Sequence, residues 1–389
     1  MNREIYLDNS ATTPLSDAAK RAITDTMECY GNPSSLHRVG QDAERCLQTA
    51  REQVLAGLGL RPRQKDGMLI FTGSGTEATA LALLGTAYAK KRREAKRILT
   101  TDSEHPSVAR VLDRLAEDGF EIVRLSTKHG MLARTELEKA LEKPIFLASM
   151  MLVNNETGAI YPVGEFFRAI KAKYPNAITH CDAVQGFMKL PFSPQSLSAD
   201  LITVSAHKLH APKGVGALYI DAGLIKAKKI VPVLTGGGQE GGLRSGTENL
   251  LGIAAFGASV EELRQNKTEI SEHVKALRAY ADSRLSPLEL RINLPNGEYL
   301  PYIINITLPN IKSETMLHAL SADGIFVSSG SACSSHSGHP SESLLAFGLT
   351  AHEADCSLRI SLSRYNTADE IDALCASLEK NIQRLVKIR

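Results

Sequence analysis

Short runs rich in β-branched and large apolar residues alternate with longer stretches of helical period along the first two-thirds of the chain. MLIF (68–71) gives way to TEATALALLGTAYAK, and RILTT (97–101) to HPSVARVLDRLAEDG. EIVRL (121–125) precedes ELEKALEK, and IFLASMMLV (145–153) precedes EFFRAIKAKYP. ITHCD (178–182), ADLITVS (199–205) and GVGALYI (214–220) complete a set of strands. Strands alternating with helices predict an α/β domain whose mainly parallel, seven-stranded sheet lies between helices. In such sheets ligands bind beyond the carboxyl ends of the strands, so the polar residues that follow each strand carry the candidate chemistry.

Past residue 250 the pattern changes. LLGIAAFGASVEELRQNKTEISEHVKALRAYADSRL reads as one long helix with little interruption. YIINITL (302–308), IFVSS (325–329) and SLRISLS (357–363) read as strands, and SETMLHALSADG as a helix with Met316, Leu317 and Leu320 on one face. These predict a second, smaller α+β domain. The IYLD segment near the N-terminus could pack on either part. We expect residues 16–258 to form the large domain, and residues 1–15 with 259–389 the small one.

Composition narrows the class. A chain of 389 residues has room for two domains. Hydrophobic residues at 43% and charged residues at 23% are globular values, and a net charge of +2 gives no pull toward nucleic acid or a membrane surface. The densest basic run, KKRREAKR (90–97), reads as a solvated helix end before a strand. No apolar run approaches the ~18–20 residues of a spanning helix, and MNREIYLDNS has no secretory apolar region. The six cysteines are far apart, with no CxxC pair. A cytoplasmic chain with reduced thiols is expected.

Three strand ends, a glycine-rich stretch, a strand arginine and one loop hold the candidate chemistry. The turn TGSGTEAT (72–79) brings Gly75 and Thr76 to a helix start, where free N–H groups favour an anion; a capped helix with Thr76 as N-cap is the plain alternative. ITHCD ends on Asp182, with Gln185 three residues on. VSAHKLHAPKG (204–214) sets Ser205, His207 and Lys208 directly after a strand. A lysine held in a cleft can lose its proton and form a Schiff base with a carbonyl. In the glycine-rich LTGGGQEGGLRSGTEN (234–249), Arg244 and Thr247 are the obvious anion-binding side chains. Arg359, in SLRISLS, suits a carboxylate if it faces a cleft, and is an edge-strand arginine if it does not. Finally, SSGSACSSHSGHP (328–340) surrounds Cys333 with small polar residues that offer a core nothing. That stretch is expected to be an exposed, mobile loop carrying a thiol.

An anion site, a strand-end carboxylate and a Schiff-base lysine on one α/β chain fit pyridoxal 5′-phosphate (PLP), which needs all three. The chain also resembles the cysteine desulfurases of the NifS/IscS type, in the class V aminotransferase group of fold type I PLP enzymes. The resemblance runs through YLDNSATTP (6–14), GNPSSLHRVG (31–40), FTGSGTEAT (71–79), EHPSV (104–108), VNNETG (153–158), CDAVQ (181–185), SAHKLHAPKGVGALY (205–219), GGGQEGGLRSGT (236–247), SSGSAC (328–333) and LRISL (358–362).

That resemblance implies roles. Lys208 would hold the PLP aldehyde, Asp182 its pyridine nitrogen and Gln185 its ring hydroxyl. His105 would stack on the ring and assist proton movement. Gly75, Thr76, Ser205 and His207 would hold the phosphate. Thr247 would reach the cofactor of a neighbouring subunit, which implies a homodimer. Asn155 would line the cofactor site and, with Arg359, grip the carboxylate of L-cysteine. Cys333 would take the sulfur as a persulfide and pass it to an acceptor or iron–sulfur scaffold protein. The loop around it has the length found in the iron–sulfur group. The sequence departs from the family at Gln239 and Gly241, where a His and an Arg are common, and at GSGTE, where SGATE is common.

Other readings are a class V aminotransferase or C–S lyase, which needs no loop cysteine, a sulfur-assembly scaffold, and a metal-binding module. Cys333, His336 and His339 have a suggestive spacing for the last, but lack a fourth ligand nearby. No metal intrinsic to this chain is expected, although Cys333 could share a cluster with a partner.

Overall fold

The computed structural model describes residues 4–61, 66–89, 95–330 and 340–385. Twelve strands occur among them. In chain order these are β1 (Ile5–Tyr6), β2 (Gly67–Thr72), β3 (Arg97–Thr101), β4 (Glu121–Leu125), β5 (Leu147–Met151), β6 (Ile178–Asp182), β7 (Leu201–Ser205) and β8 (Gly216–Asp221). β9 (Arg291–Ile292), β10 (Ile303–Thr307), β11 (Ile325–Phe326) and β12 (Ser357–Ser361) follow.

The expected seven-stranded sheet is present, in the order β2-β8-β7-β6-β5-β3-β4. Only β8 runs against its neighbours; the other pairings are parallel. β5, β6 and β7 are buried along their whole length, as strands covered on both faces must be. The Gly75–Tyr88 helix lies against one face and is apolar nearly all round, with Ala78, Leu81, Ala82 and Leu83 buried. The Leu250–Gln265 helix packs on Asp17–Thr26 and Arg38–Gly57.

The long helix expected after residue 250 is in fact two, Leu250–Gln265 and Lys267–Leu285. Asn266 separates them. Its side-chain amide donates to the Glu262 carbonyl at 2.8 Å, so a local side-chain bond replaces continued helix geometry. Beyond them, β10 pairs antiparallel with β9 and β12 in a three-stranded sheet.

The N-terminal segment ties both groups of elements together. β1 pairs parallel with β11. A few residues on, the Thr13 N–H and hydroxyl both donate to the His207 carbonyl, at 3.0 and 2.9 Å. The carboxyl ends of β2, β3, β5, β6 and β7 therefore open onto one cleft, closed on the far side by residues 8–13 and β12. Among the described residues no helix is long and apolar enough to cross a membrane.

Candidate active site

A cavity of about 220 Å³ sits at that carboxyl edge. Its floor is built from the strand ends. Asp182 is the last residue of β6 and is buried; its Oδ1 accepts from the Val184 N–H at 3.0 Å. Burial pushes its carboxyl up to about 6, against the pull of that N–H and of the Lys208 charge. Ser205 ends β7, and a single 3-10 turn places His207 and Lys208 beyond it. The Lys208 ammonium donates to the carbonyls of Ser10 and Ala11, at 2.6 and 2.7 Å.

One wall is the start of the Gly75–Tyr88 helix. Ser74, not Thr76, caps it, accepting from the Glu77 N–H at 3.1 Å. Thr76 is thereby left on the first turn, exposed, with its side chain at the cavity. Gly75 is required by close approach, since a Cβ there would meet Ser205 Cβ at 3.2 Å and Val184 Cγ2 at 3.3 Å. Arg244 is ion-paired with Glu77 on this wall. Its Nε donates to Glu77 Oε1 at 2.7 Å, while Glu77 Oε2 takes the Gly73 N–H at 2.8 Å.

His105 caps the Pro106–Glu117 helix from the opposite wall. Its Nδ1 accepts from the Ser107 N–H at 3.1 Å, which leaves the ring proton on Nε2. Burial, then the charges of Lys208 and Arg359, hold its pKa near 4, so the ring is neutral at neutral pH. The same causes, burial and then Lys208, bring His207 to about 4; its Nδ1 faces the Thr12 hydroxyl at 3.3 Å.

Arg359 closes the cleft from β12, 2% exposed. Its Nη2 donates to Asp8 Oδ1 at 2.9 Å and its Nη1 to the Asn155 carbonyl at 3.0 Å. Its Nε is buried and has no hydrogen-bond partner among the described residues. Arg359 thus faces the cleft rather than solvent, although β12 is an edge strand of its sheet. Gln185 completes the site; its Nε2 donates to the Ser10 carbonyl at 3.0 Å.

The cavity thus gathers Gly75, Thr76, His105, Asn155, Asp182, Gln185, Ser205, His207, Lys208 and Arg359. Thr247 is exposed and does not line it. Cys333, His336 and His339 lie outside the described residues. The chain on either side of them is described. Ser328 bridges Arg359 on β12, and the Ser341 hydroxyl donates to both oxygens of buried Glu156, at 2.8 and 2.7 Å. Sequence reasoning missed Asp8, Ser10 and Ala11, which form the wall opposite the strands. It also missed Asn154, whose Oδ1 takes the N–H groups of Glu156 and Thr157 and so shapes the turn that carries Asn155.

Comparison with known proteins places this cleft in a family. The class V aminotransferase profile matches residues 5–374. A cysteine desulfurase of Trichormus azollae is 38% identical over 385 residues, covering 98% of this chain and 93% of that protein. The chain belongs to the class V aminotransferases, among their cysteine desulfurases. The cysteine desulfurase IscS of Dictyoglomus turgidum is 37% identical over 99% of this chain and 96% of its own. A solved structure described as a NifS-like protein superposes with a TM-score of 0.90 at 35% identity, over 98% of this chain and 100% of its own.

PLP is the cofactor of this family, and the cavity suits it. It offers a helix start without a Cβ in the way, a buried carboxylate, a lysine amine and a row of neutral donors.

One further buried acid adjoins the site. Glu104 Oε1 accepts from the Thr101 hydroxyl at 2.7 Å and the Met151 N–H at 3.0 Å, and its Oε2 has no partner among the described residues. Burial pushes this carboxyl up to about 8. The folded chain therefore holds a proton here that the unfolded chain loses near the ordinary value of 4.5. The associated stability is full below that value and is lost as pH rises through about 8. Glu104→Gln should remove this dependence. Measured against that variant in denaturant, the unmutated apoprotein should lose ground between about pH 5 and pH 8. Parallel curves would contradict the assignment.

Proposed function

We propose that this PLP-dependent cysteine desulfurase converts L-cysteine to L-alanine by passing the substrate sulfur to Cys333. The observation that supports the site assignment best is the convergence of Lys208, Asp182, Gly75 and Arg359 on one cavity. Lys208 would hold the cofactor aldehyde. Asp182 would accept from the pyridine N–H, a partner that answers the cost of its burial. Gln185 would hold the ring hydroxyl and His105 the ring. Gly75, Thr76, Ser205 and His207 would hold the phosphate as uncharged donors. When bound, PLP supplies an electron sink for the pair released at the substrate Cα.

Arg359 and Asn155 fix the substrate carboxylate, and the Arg359 Nε–H, which has no partner among the described residues, gives that grip its second donor. The released Lys208 amine moves the α-proton, and neutral His105, with its proton on Nε2, serves proton transfer beside it. The Cys333 thiolate attacks the substrate sulfur. An S–S bond forms, the Cβ–S bond breaks with its electron pair on carbon, and that carbon is protonated to the methyl of alanine. The sum is L-cysteine plus Cys333 thiol to L-alanine plus Cys333 persulfide, with no external oxidant. A second thiol, on an acceptor protein, then removes the sulfur for iron–sulfur clusters or other sulfur-containing products.

Thr247, exposed and away from this cavity, is assigned to the cofactor of a second copy in a homodimer. Residues 16–258 form the cofactor domain, and 1–15 with 259–389 the domain that carries residues 328–340. The activity is tested by incubating the PLP-loaded protein with L-cysteine and a thiol reductant. Alanine and sulfide should form in equal amounts, and absence of both would overturn the reading. Arg359→Lys loses the planar, bidentate donor edge. It should raise the KM for L-cysteine by about 10- to 100-fold with a smaller fall in kcat. An unchanged KM would remove Arg359 from the substrate site.

A further inference from the structure

We infer that Lys189 is a positioning residue that fixes which end of the Gln185 amide faces the cofactor, an inference that rests on the reading of Gln185 above. Lys189 lies four residues beyond Gln185 in the same irregular turn, and its Nζ donates to Gln185 Oε1 at 3.4 Å. On the other side of the same amide, Nε2 donates to the Ser10 carbonyl at 3.0 Å. The two contacts act in one sense. Flipping the amide would set its NH2 against an ammonium and its oxygen against a carbonyl, so both bonds would become repulsions. The amide is locked with a second N–H hydrogen available, and Gln185 presents a donor rather than an acceptor to the ring hydroxyl oxygen.

No ion pair accounts for this lysine. It is half-buried, and no carboxylate lies within ion-pair distance of it among the described residues. Its ammonium instead stands over the Tyr302 ring, 5.4 Å from the centroid. Burial, then the Arg359 charge, lowers its pKa to about 8. An ammonium kept in such a place without a counter-ion is costly, which argues for work done through Gln185. Tyr302 directly precedes β10, so the lysine also joins the Gln185 turn to the three-stranded sheet.

The test compares PLP-loaded protein carrying Lys189→Met, Lys189→Arg, Gln185→Ala, or Lys189→Met with Gln185→Ala. The readouts are the rate of PLP loss on dialysis, the cofactor absorbance spectrum and the melting temperature of the apoprotein. Methionine keeps the apolar stem without the donor. Lys189→Met should release PLP about 5-fold faster with the apoprotein melting temperature unchanged, and should add nothing in the Gln185→Ala background. Lys189→Arg, which keeps a donor, should stay within about twofold of the unmutated rate. Unmutated release from Lys189→Met, full additivity with Gln185→Ala, or equal loss from methionine and arginine would each overturn the inference. Failure of the functional reading is distinguishable, because the unmutated chain itself would then form no alanine.

Discussion

Lys208→Ala should leave a folded protein that makes no covalent link to PLP and forms alanine at least ~10³-fold more slowly. In the free protein the Lys208 ammonium is pinned by two backbone carbonyls, Ser10 at 2.6 Å and Ala11 at 2.7 Å. Those contacts hold the amine over the cleft, within the same cavity as Asp182 and His105. Alanine removes both the amine that carries the aldehyde and the base that moves the α-proton, so two functions are lost in one change. The fold should survive, since Lys208 donates to loop carbonyls at the cleft and is not part of the apolar core. Borohydride reduction should attach the cofactor to the peptide bearing Lys208 in the unmutated chain and to no peptide in the variant. Attachment elsewhere, or alanine formation near the unmutated rate, would displace Lys208 from its role.

Cys333→Ala should separate binding from sulfur transfer. The variant should keep PLP and still show the absorbance change on adding L-cysteine, because Asp182, Lys208 and Arg359 are untouched. Alanine formation should fall by about 10²-fold or more, since no thiolate is left to take the sulfur. The two flanks of residues 331–339 support this division. Ser328 is joined to Arg359 by backbone bonds of 3.1 and 2.7 Å, and Ser341 is held by Glu156, next to Asn155. One end of the segment is thus fastened to Arg359 and the other to the sequence neighbour of Asn155, the two residues assigned to the substrate carboxylate. Full turnover by Cys333→Ala would point instead to a C–S lyase that releases sulfide directly.

The seven strands of the main sheet were legible because each is a short β-rich run, in most cases followed by a turn and a helix. The residues directly after them were legible for the same reason. Asp182 and Lys208 sit where a parallel sheet puts its ligands. Contacts made through the backbone left no comparable trace. Ser10 and Ala11 meet Lys208 and Gln185 through their carbonyls, which any residue type could supply. Asp8 pairs with Arg359 across 351 positions, a separation that no local pattern encodes. The cap falls on Ser74 and not on Thr76, the alternative that the turn offered, because both hydroxyls lie there and only the backbone geometry selects one. The break at Asn266 was lost inside an otherwise continuous apolar period. In each case the missing information was three-dimensional, not a misread residue.

The account turns on where the sulfur goes. The most direct measurement is a single turnover of the PLP-loaded protein with one equivalent of L-cysteine and no reductant, followed by mass analysis of its peptides. The account predicts one alanine per active site and one added sulfur atom on the peptide containing Cys333, removable by a thiol. Alanine formed without that added sulfur, or with it on Cys29, Cys46, Cys181, Cys356 or Cys375, would contradict it.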